Sequence, residues 1–312
     1  MNILFIVFKG IGDVILTTPA VRIIKKKYPS YNIFFLTREF AAPILKNNPY
    51  LNKVIIREKD CLKDIFLKMD VSIDYMLSST SLIYTLISGA KQRIAFYRKH
   101  NFLYNYRIKT DFSGYVVIKR NYLLQPLGIS TNDITNDIKP EIFLDDETIF
   151  RASKKLLENG IDKNDRIVTF DITSPRKYRQ LEGYKFMYIA DKISELGFKN
   201  VFISSPSEIS YVEDMIKLYG KKRHYFIKNT SLLEAASIIS FAKLHIGTSS
   251  SPMHMAVSFN VPTFTIYSPY TDPLSWTPPF GNHAYVYGNL NSLKEDEIYK
   301  EIEKFMIKIK II

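Results

Sequence analysis

The stretch Phe8-Lys9-Gly10-Ile11-Gly12-Asp13-Val14-Ile15-Leu16-Thr17-Thr18-Pro19-Ala20 decides the fold. It follows Asn2-Ile3-Leu4-Phe5-Ile6-Val7, an apolar, partly β-branched run short enough to be a buried strand. Two glycines then end the strand, and the spacing predicts a helix opening near Asp13 with Val14, Ile15, Val21 and Ile24 on one side. Glycines at such a turn let backbone N–H groups come close to a ligand, and a helix start favours negative charge. Asp13 thus falls at the carboxyl end of the first strand, where open α/β sheets bind substrates. Two other readings of the turn stay open here. It is a poor dinucleotide fingerprint, because Ile15 holds the third glycine position and Glu39 is one residue late for a ribose-binding acid. Asp13 could also serve only as a helix cap.

Working outward, Ile3–Phe8, Asn32–Thr37, Lys53–Arg57, Val71–Leu77 and Arg93–Tyr97 read as strands, with helices starting near Asp13, Glu39, Leu62 and Ser81. Alternation of that kind argues for βαβ units and a parallel sheet. The polar stretch Ser130–Pro140 has no clean period and reads as a linker. Beyond it the pattern repeats. Helix Asp146–Asn159 leads to strand Arg166–Ile172, followed by strands Asn200–Ser205, Tyr225–Ile227, Leu244–Gly247 and Thr263–Tyr267 with helices between them. A final amphipathic helix, Leu293–Ile309, is long enough to pack back on the N-terminal domain. The expected architecture is α/β, with two Rossmann-like domains, residues 1–135 and 136–312, whose parallel sheets face a central cleft.

The chain has 312 residues, 46% hydrophobic and 24% charged, as in a soluble globular protein of two domains. No apolar run reaches the length of a membrane span, and no signal peptide is evident at the start. Cys61 is the only cysteine, which excludes a disulfide or a cysteine zinc site within one chain. A cytoplasmic location is the simplest expectation. The formal net charge of +12 lies entirely in residues 1–120, which hold 20 Lys and Arg against 8 Asp and Glu. The N-terminal part should therefore attract an anionic partner.

A second constellation is His245-Ile246-Gly247-Thr248-Ser249-Ser250-Ser251-Pro252-Met253-His254-Met255-Ala256. A strand ends at glycine, a run of hydroxyls follows, and Pro252 marks a helix start suited to a phosphate. His254 fits either a ligand contact or a satisfied helix histidine, and His245 reads as structural. The five histidines form no His-x-x-x-His pair and there is no Asp-x-Asp, so no metal site is expected. Ala90-Lys91-Gln92-Arg93-Ile94-Ala95-Phe96-Tyr97-Arg98-Lys99-His100, followed by Phe102, Leu103, Tyr104, Tyr106, Arg107 and Lys109, interleaves basic and aromatic residues. That pattern fits an anionic glycolipid, a membrane surface or single-stranded nucleic acid, or else a partly buried hairpin with snorkelling lysines. Lys25-Lys26-Lys27 reads as a solvated helix face.

Gly10-x-Gly12-Asp13-x-x-x-Thr17-Thr18-Pro19 resembles the N-terminal signature of the family 9 glycosyltransferases, the bacterial lipopolysaccharide heptosyltransferases. The resemblance continues in order. Arg179 falls on a family lysine that contacts the donor diphosphate, although Leu181-Glu182 replaces the family's Trp-Pro. Ser204–Glu208 resembles a loop whose acid contacts the ribose. Ser249-Ser250-Ser251-x-x-His254 stands where the family has Asp-Thr-Gly-x-x-His, and Ser268-Pro269-Tyr270-Thr271-Asp272-Pro273 with Trp276 resembles its Gly-Pro-Thr-Asp-Pro…Trp loop. Ala90–Tyr97 resembles its Ala-Lys-x-Arg-Ile-Gly-Tyr segment.

The resemblance implies a GT-B fold and an inverting, metal-independent transfer of a sugar, most often heptose from ADP-heptose, to a lipopolysaccharide core or related glycan. It implies Asp13 as catalytic base. It assigns Gly12, Arg179, Glu208, Thr248, Ser249, Ser250, Ser251, Met253 and His254 to the donor, and Lys9, Thr17, Arg93, Arg98 and Lys99 to the acceptor. No cofactor is implied beyond the nucleotide-sugar co-substrate. The implied partners are that donor and an anionic glycolipid or oligosaccharide acceptor, with possible contact to the cytoplasmic face of the inner membrane and no nucleic acid. Replacement of the family Asp by Ser249 leaves another nucleotide-linked sugar open as donor. A non-catalytic binder that uses the basic N-terminal half is the alternative from a different class.

Overall fold

Burial on both faces sets the centre of the first sheet. Strand β1 (Asn2–Ile6) has Ile3, Leu4, Phe5 and Ile6 wholly enclosed, as a parallel strand covered by helices on either side requires. In the computed structural model, which describes residues 1–59 and 68–312, it pairs in parallel with β2 (Asn32–Thr37) and β4 (Val71–Asp74). With β3 (Lys53–Ile56), β5 (Gln92–Phe96) and β6 (Tyr106–Ile108), the described residues give a six-stranded sheet ordered β3-β2-β1-β4-β5-β6, parallel throughout. The order reverses between β1 and β4, which opens a crevice at their carboxyl ends.

The second sheet repeats this plan. It contains β7 (Ile167–Asp171), β8 (Lys199–Phe202), β9 (Tyr225–Phe226), β10 (Leu244–Thr248), β11 (Thr263–Tyr267) and β12 (His283–Tyr287). Their order, β9-β8-β7-β10-β11-β12, matches the first sheet strand for strand, with the reversal between β7 and β10. Gly247 is needed at that joint, since a Cβ there would lie 2.8 Å from the Asp171 carbonyl oxygen. The two-domain α/β expectation holds, and the compact units are Met1–Phe143 and Leu144–Ile312.

Several local expectations give way. The helix expected from Asp13 is two helices, Ile11–Ile15 and Thr18–Lys27. Pro19 has no N–H to offer the Ile15 carbonyl, and the Thr18 hydroxyl donates to that oxygen instead at 2.8 Å. The helix expected near Glu39 is only a 3₁₀ turn, Ala42–Leu45, and the one expected near Leu62 lies outside the described residues. Parallel pairing of β5 with β6 rules out the hairpin reading of residues 97–105, which form a crossover loop. The final helix, Glu295–Lys308, buries Ile298, Ile302, Phe305 and Met306 in the core of the second unit.

The stretch read as a linker is also structured. Ser130 caps a short helix, Thr131–Asn136, and residues 136–143, placed in the second domain from sequence, pack with the first unit. Arg22 holds them there. Its buried guanidinium pairs with Asp137, lies 2.7 Å from Glu141 and donates to the Lys139 carbonyl at 2.9 Å. Arg22→Ala should cost about 2–4 kcal/mol, because two carboxylates lose their common cation. Chemical denaturation would register this as a lower midpoint, and an unchanged midpoint would mean the clamp contributes nothing.

Candidate active site

The turn after β1 places Gly10 as N-cap of helix Ile11–Ile15, with no side-chain cap. Asp13 is therefore not the cap. Its carboxylate turns instead to Arg120 on helix Val116–Asn121, and the two form an ion pair. The same guanidinium donates to the Thr17 hydroxyl at 3.0 Å and to the Asp13 carbonyl at 3.4 Å, while the Thr17 hydroxyl donates to that carbonyl at 2.8 Å. It also lies 5.7 Å from the ring centroid of Tyr75, the residue that follows β4. Both strands of the reversal thus contribute to the Asp13 setting. Arg120 was not found from sequence. The available signal was a charge inside Val116-Val117-Ile118-Lys119-Arg120-Asn121-Tyr122-Leu123-Leu124, which an interior partner would explain.

Of the other acceptor candidates, Lys9, Arg98 and Lys99 follow the carboxyl ends of β1 and β5, whereas Arg93 stands near the amino end of β5. Lys9 is exposed beside Gly10 and Gly12. Arg93 is engaged with the backbone, donating to the Leu103 carbonyl at 2.7 Å and to the Ala90 carbonyl at 3.3 Å. Arg98 reaches the Leu77 carbonyl at 3.4 Å, and Lys99 is exposed. Leu77 holds a left-handed φ of 53°, an unusual state for a bulky residue. Asp74 supports it by accepting the Met76 and Leu77 N–H groups at 2.7 and 3.3 Å.

In the second unit the donor candidates gather at the carboxyl ends of β7, β8, β10 and β11. The Thr248 hydroxyl donates to the Thr173 carbonyl at 3.0 Å, and the Thr173 hydroxyl donates to Glu208 at 2.8 Å. These bonds join the loops after β7, β8 and β10. Tyr178 meets Tyr270 edge-on at 5.4 Å, and His254 lies 5.9 Å from Trp276, which brings in the loop after β11. Arg179 sits in this ring of loops with its guanidinium 5.7 Å from the Tyr178 ring centroid. Met253 is buried in the helix core, whereas Ser249 and Ser251 are half-exposed at the helix start. His245 is structural, enclosed in β10 and hydrogen-bonded to Thr169 at 3.0 Å, and burial pushes it down to about 3.

One residue here was read as strand alone. Asp171, at the end of β7, is enclosed beneath the donor loops and accepts from the Ser250 hydroxyl and from the Thr173 N–H at 3.3 Å. Burial is the main cause that pushes its carboxyl up to about 7, against the pull of Ser250 and Thr173. Ser250 is N-cap of helix Ser251–Ser258 but spends its hydroxyl on Asp171, so the first-turn N–H groups have no side-chain cap. Uncapped N–H groups at a helix start suit an anion.

Residues 67–305 match the family described as glycosyltransferase family 9 (heptosyltransferase). The chain belongs to that family. The match begins downstream of the Asp13 turn, so it is carried by the rest of the chain. Lipopolysaccharide heptosyltransferase 3 of Escherichia coli K12 is 24% identical over 293 residues, spanning 86% of this glycosyltransferase and 82% of that protein. Among solved structures, a family 9 glycosyl transferase from Veillonella parvula has a TM-score of 0.87 at 19% identity, covering 98% of this chain and 97% of its own. E. coli ADP-heptose lipopolysaccharide heptosyltransferase II has a TM-score of 0.83 at 17% identity, covering 99% of this chain and 100% of its own. The fold of this glycosyltransferase is thus the GT-B type expected from its motifs. No helix among the described residues is long and apolar enough to cross a membrane.

The Asp171 setting predicts a pH dependence. Its carboxyl titrates higher in the folded chain than the ordinary 3.8, so the folded state binds the extra proton. Stability from this group is full below about pH 4 and is lost as pH rises towards about 7. Asp171→Asn should therefore melt above the wild type at about pH 8 and lose that advantage near about pH 4. Parallel thermal melts across this range check it, and a difference independent of pH would contradict the assignment.

Proposed function

We propose that this family 9 glycosyltransferase moves heptose from ADP-heptose to a lipopolysaccharide-core type glycan, inverting the anomeric centre without a metal ion. The observation that carries the reading is the Asp13 carboxylate, off the helix cap and held by Arg120 at the first sheet's reversal. A carboxylate in that position can accept the proton of an acceptor hydroxyl as its oxygen attacks the anomeric carbon. The bond from that carbon to the diphosphate oxygen breaks on the opposite face, and the nucleoside diphosphate leaves with the electron pair. Arg120 orients the base. It also fixes Thr17, the acceptor-side residue nearest to it.

On the donor side, Arg179 and the uncapped start of helix Ser251–Ser258 supply positive charge for the leaving diphosphate. This supports a transfer without a bridging cation. Ser249 and Ser251 are half-exposed at the helix start, and Glu208 is tied to Thr173 beside it. The similar E. coli enzyme named for ADP-heptose supports that donor by analogy. Ser249 favours a second reading, another nucleotide-linked sugar, because it is a small hydroxyl where the family carries a carboxylate. The reaction is proposed for the cytoplasm, in keeping with the composition.

Titration calorimetry against ADP-heptose, ADP and UDP-hexoses separates the donors, with tighter binding of ADP-heptose than of ADP expected. A UDP-sugar preference would keep the mechanism and replace the donor. Asp13→Asn should lower turnover by at least about 100-fold, the scale of general-base catalysis, while donor affinity stays within a few-fold of wild type. Turnover near wild type would remove Asp13 from the mechanism. Activity unchanged in EDTA is expected, and loss restored by a divalent cation would overturn the metal-free part.

A further inference from the structure

A cleft of about 540 Å³ opens on the second unit between helix Gly183–Glu195, the end of helix Ile209–Tyr219 and the start of the final helix. That size falls within the range of small-molecule sites, roughly 300–1,000 Å³. None of its lining residues is a donor or acceptor candidate. Lys221 and Lys222 precede β9, whereas the donor loops follow the carboxyl ends of strands.

The walls are aromatic. Tyr184 and Tyr188 are one helical turn apart and share a helix face with Asp191 and Glu195. Tyr219 comes from the neighbouring helix, its ring centroid 6.1 Å from that of Tyr184. Tyr184 is 40% exposed and Tyr219 47% exposed, so both rings keep open surface. These walls are also fixed in place. The buried Lys185 ammonium is bound to Glu182 at 2.7 Å and to the Leu290 carbonyl at 2.9 Å, and it stands 5.8 Å from the Tyr184 ring centroid. Further along the helix, Asp191 accepts the Lys221 and Lys222 N–H groups at 3.0 and 2.8 Å and meets the His224 ring at 2.9 Å.

Charge in the cleft is balanced. The carboxylates of Asp191, Glu195 and Glu295 stand with the ammonium groups of Lys192, Lys221 and Lys222. Lys192 pairs with Glu195 at 3.1 Å, and Asp191 is spent on the backbone. Lys221, Lys222 and Glu295 have no side-chain partner among the described residues. A phosphate would meet Glu295 and find the Lys221 and Lys222 N–H groups already taken. A cationic ligand would face the two free lysines, and an apolar one would strip water from charged groups without replacing it. The cleft suits an uncharged ligand dense in hydroxyls, with C–H faces to lie on tyrosine rings. Ammonium groups donate to such hydroxyls, carboxylates accept from them, and tyrosine hydroxyls do both.

We propose that this cleft is an accessory oligosaccharide-binding site. It takes an uncharged glycan segment against Tyr184, Tyr188 and Tyr219, with Lys221, Lys222 and Glu295 bonding the sugar hydroxyls. The inference holds whichever sugar is transferred, because the cleft shares no residue with the proposed donor and acceptor sites.

Saturation-transfer NMR with maltotetraose, cellotetraose and mannotetraose tests it. At least one of them should receive saturation from the wild type, with an affinity little changed by salt because no ion pair forms. Tyr184→Ala with Tyr219→Ala should weaken that binding by about tenfold or more. Tyr184→Phe with Tyr219→Phe should largely keep it, since the ring faces remain. Lys221→Gln with Lys222→Gln should weaken it by about threefold or more. All three double variants should keep the wild-type melting temperature and ADP affinity by calorimetry, which separates failure of this cleft from failure of the proposed donor site. Absence of saturation for all three sugars, or binding unchanged in the double alanine variant, would overturn the proposal. So would displacement of the sugar by ADP or by inorganic phosphate, which would mark the donor site or a simple anion site instead.

Discussion

A strand buried on both faces carries few polar side chains along its length. Those of β7 and β10 pair with each other, as Thr169 and His245 do, so most polar chemistry in this protein is pushed to strand ends. Ile3–Ile6 and Ile167–Phe170 are apolar or hydrogen-bonded internally, and the first carboxyl groups appear where each central strand meets the order reversal. Backbone N–H groups are also left over at these places, because helices begin there. The two sheets have the same order but treat their carboxyl groups in opposite ways. Asp13 is partly exposed and given a guanidinium; Asp171 is enclosed and given hydroxyls, with Glu208 nearby. A guanidinium partner fixes the direction in which a carboxylate points through charged hydrogen bonds. Hydroxyl donors in a dry site favour a carboxyl that holds its surroundings in place.

That contrast bears on Ser249. The family carboxylate missing at this position would stand at the half-exposed helix start, whereas Asp171 lies beneath it and is fully enclosed. Asp171 reaches the same loop only through Ser250. Its effect there is mechanical: it draws the Ser250 hydroxyl away from the helix cap and leaves the first-turn N–H groups for an anion. A carboxylate at the surface would add negative charge where a diphosphate is expected, while a buried one adds little when it carries its proton. The serine run and the buried aspartate are thus joined through Ser250, and this joint leaves the helix start without a side-chain cap.

Continuous apolar runs were legible, and β2 and β11 occupy the spans read from sequence. Strands β6 and β12 were not, because Tyr106–Ile108 and His283–Tyr287 are edge strands that mix exposed aromatics and polar residues. The break at Pro19 was visible as a residue but not as an event, since the signal of Val14, Ile15, Val21 and Ile24 runs across it. For the site, motif positions located the loops that meet after β7, β8, β10 and β11. Arg120 and Asp171 were missed for the same physical reason: each acts through a partner distant in sequence, across 107 residues for Arg120 and Asp13 and 79 for Asp171 and Ser250. No local periodicity encodes such a pairing.

The excess positive charge of the first unit also acquires a location. Arg22 is neutralised by Asp137 and Glu141, Arg38 by Glu58 and Arg120 by Asp13. These pairs bind parts of the unit together and contribute little to its outer field. The β5–β6 segment has no acid of its own, and of its arginines only Arg93 and Arg98 have backbone carbonyls as partners. Backbone partners do not cancel a charge. The field of the first unit therefore has a strong source along this one edge, next to the exposed Phe102.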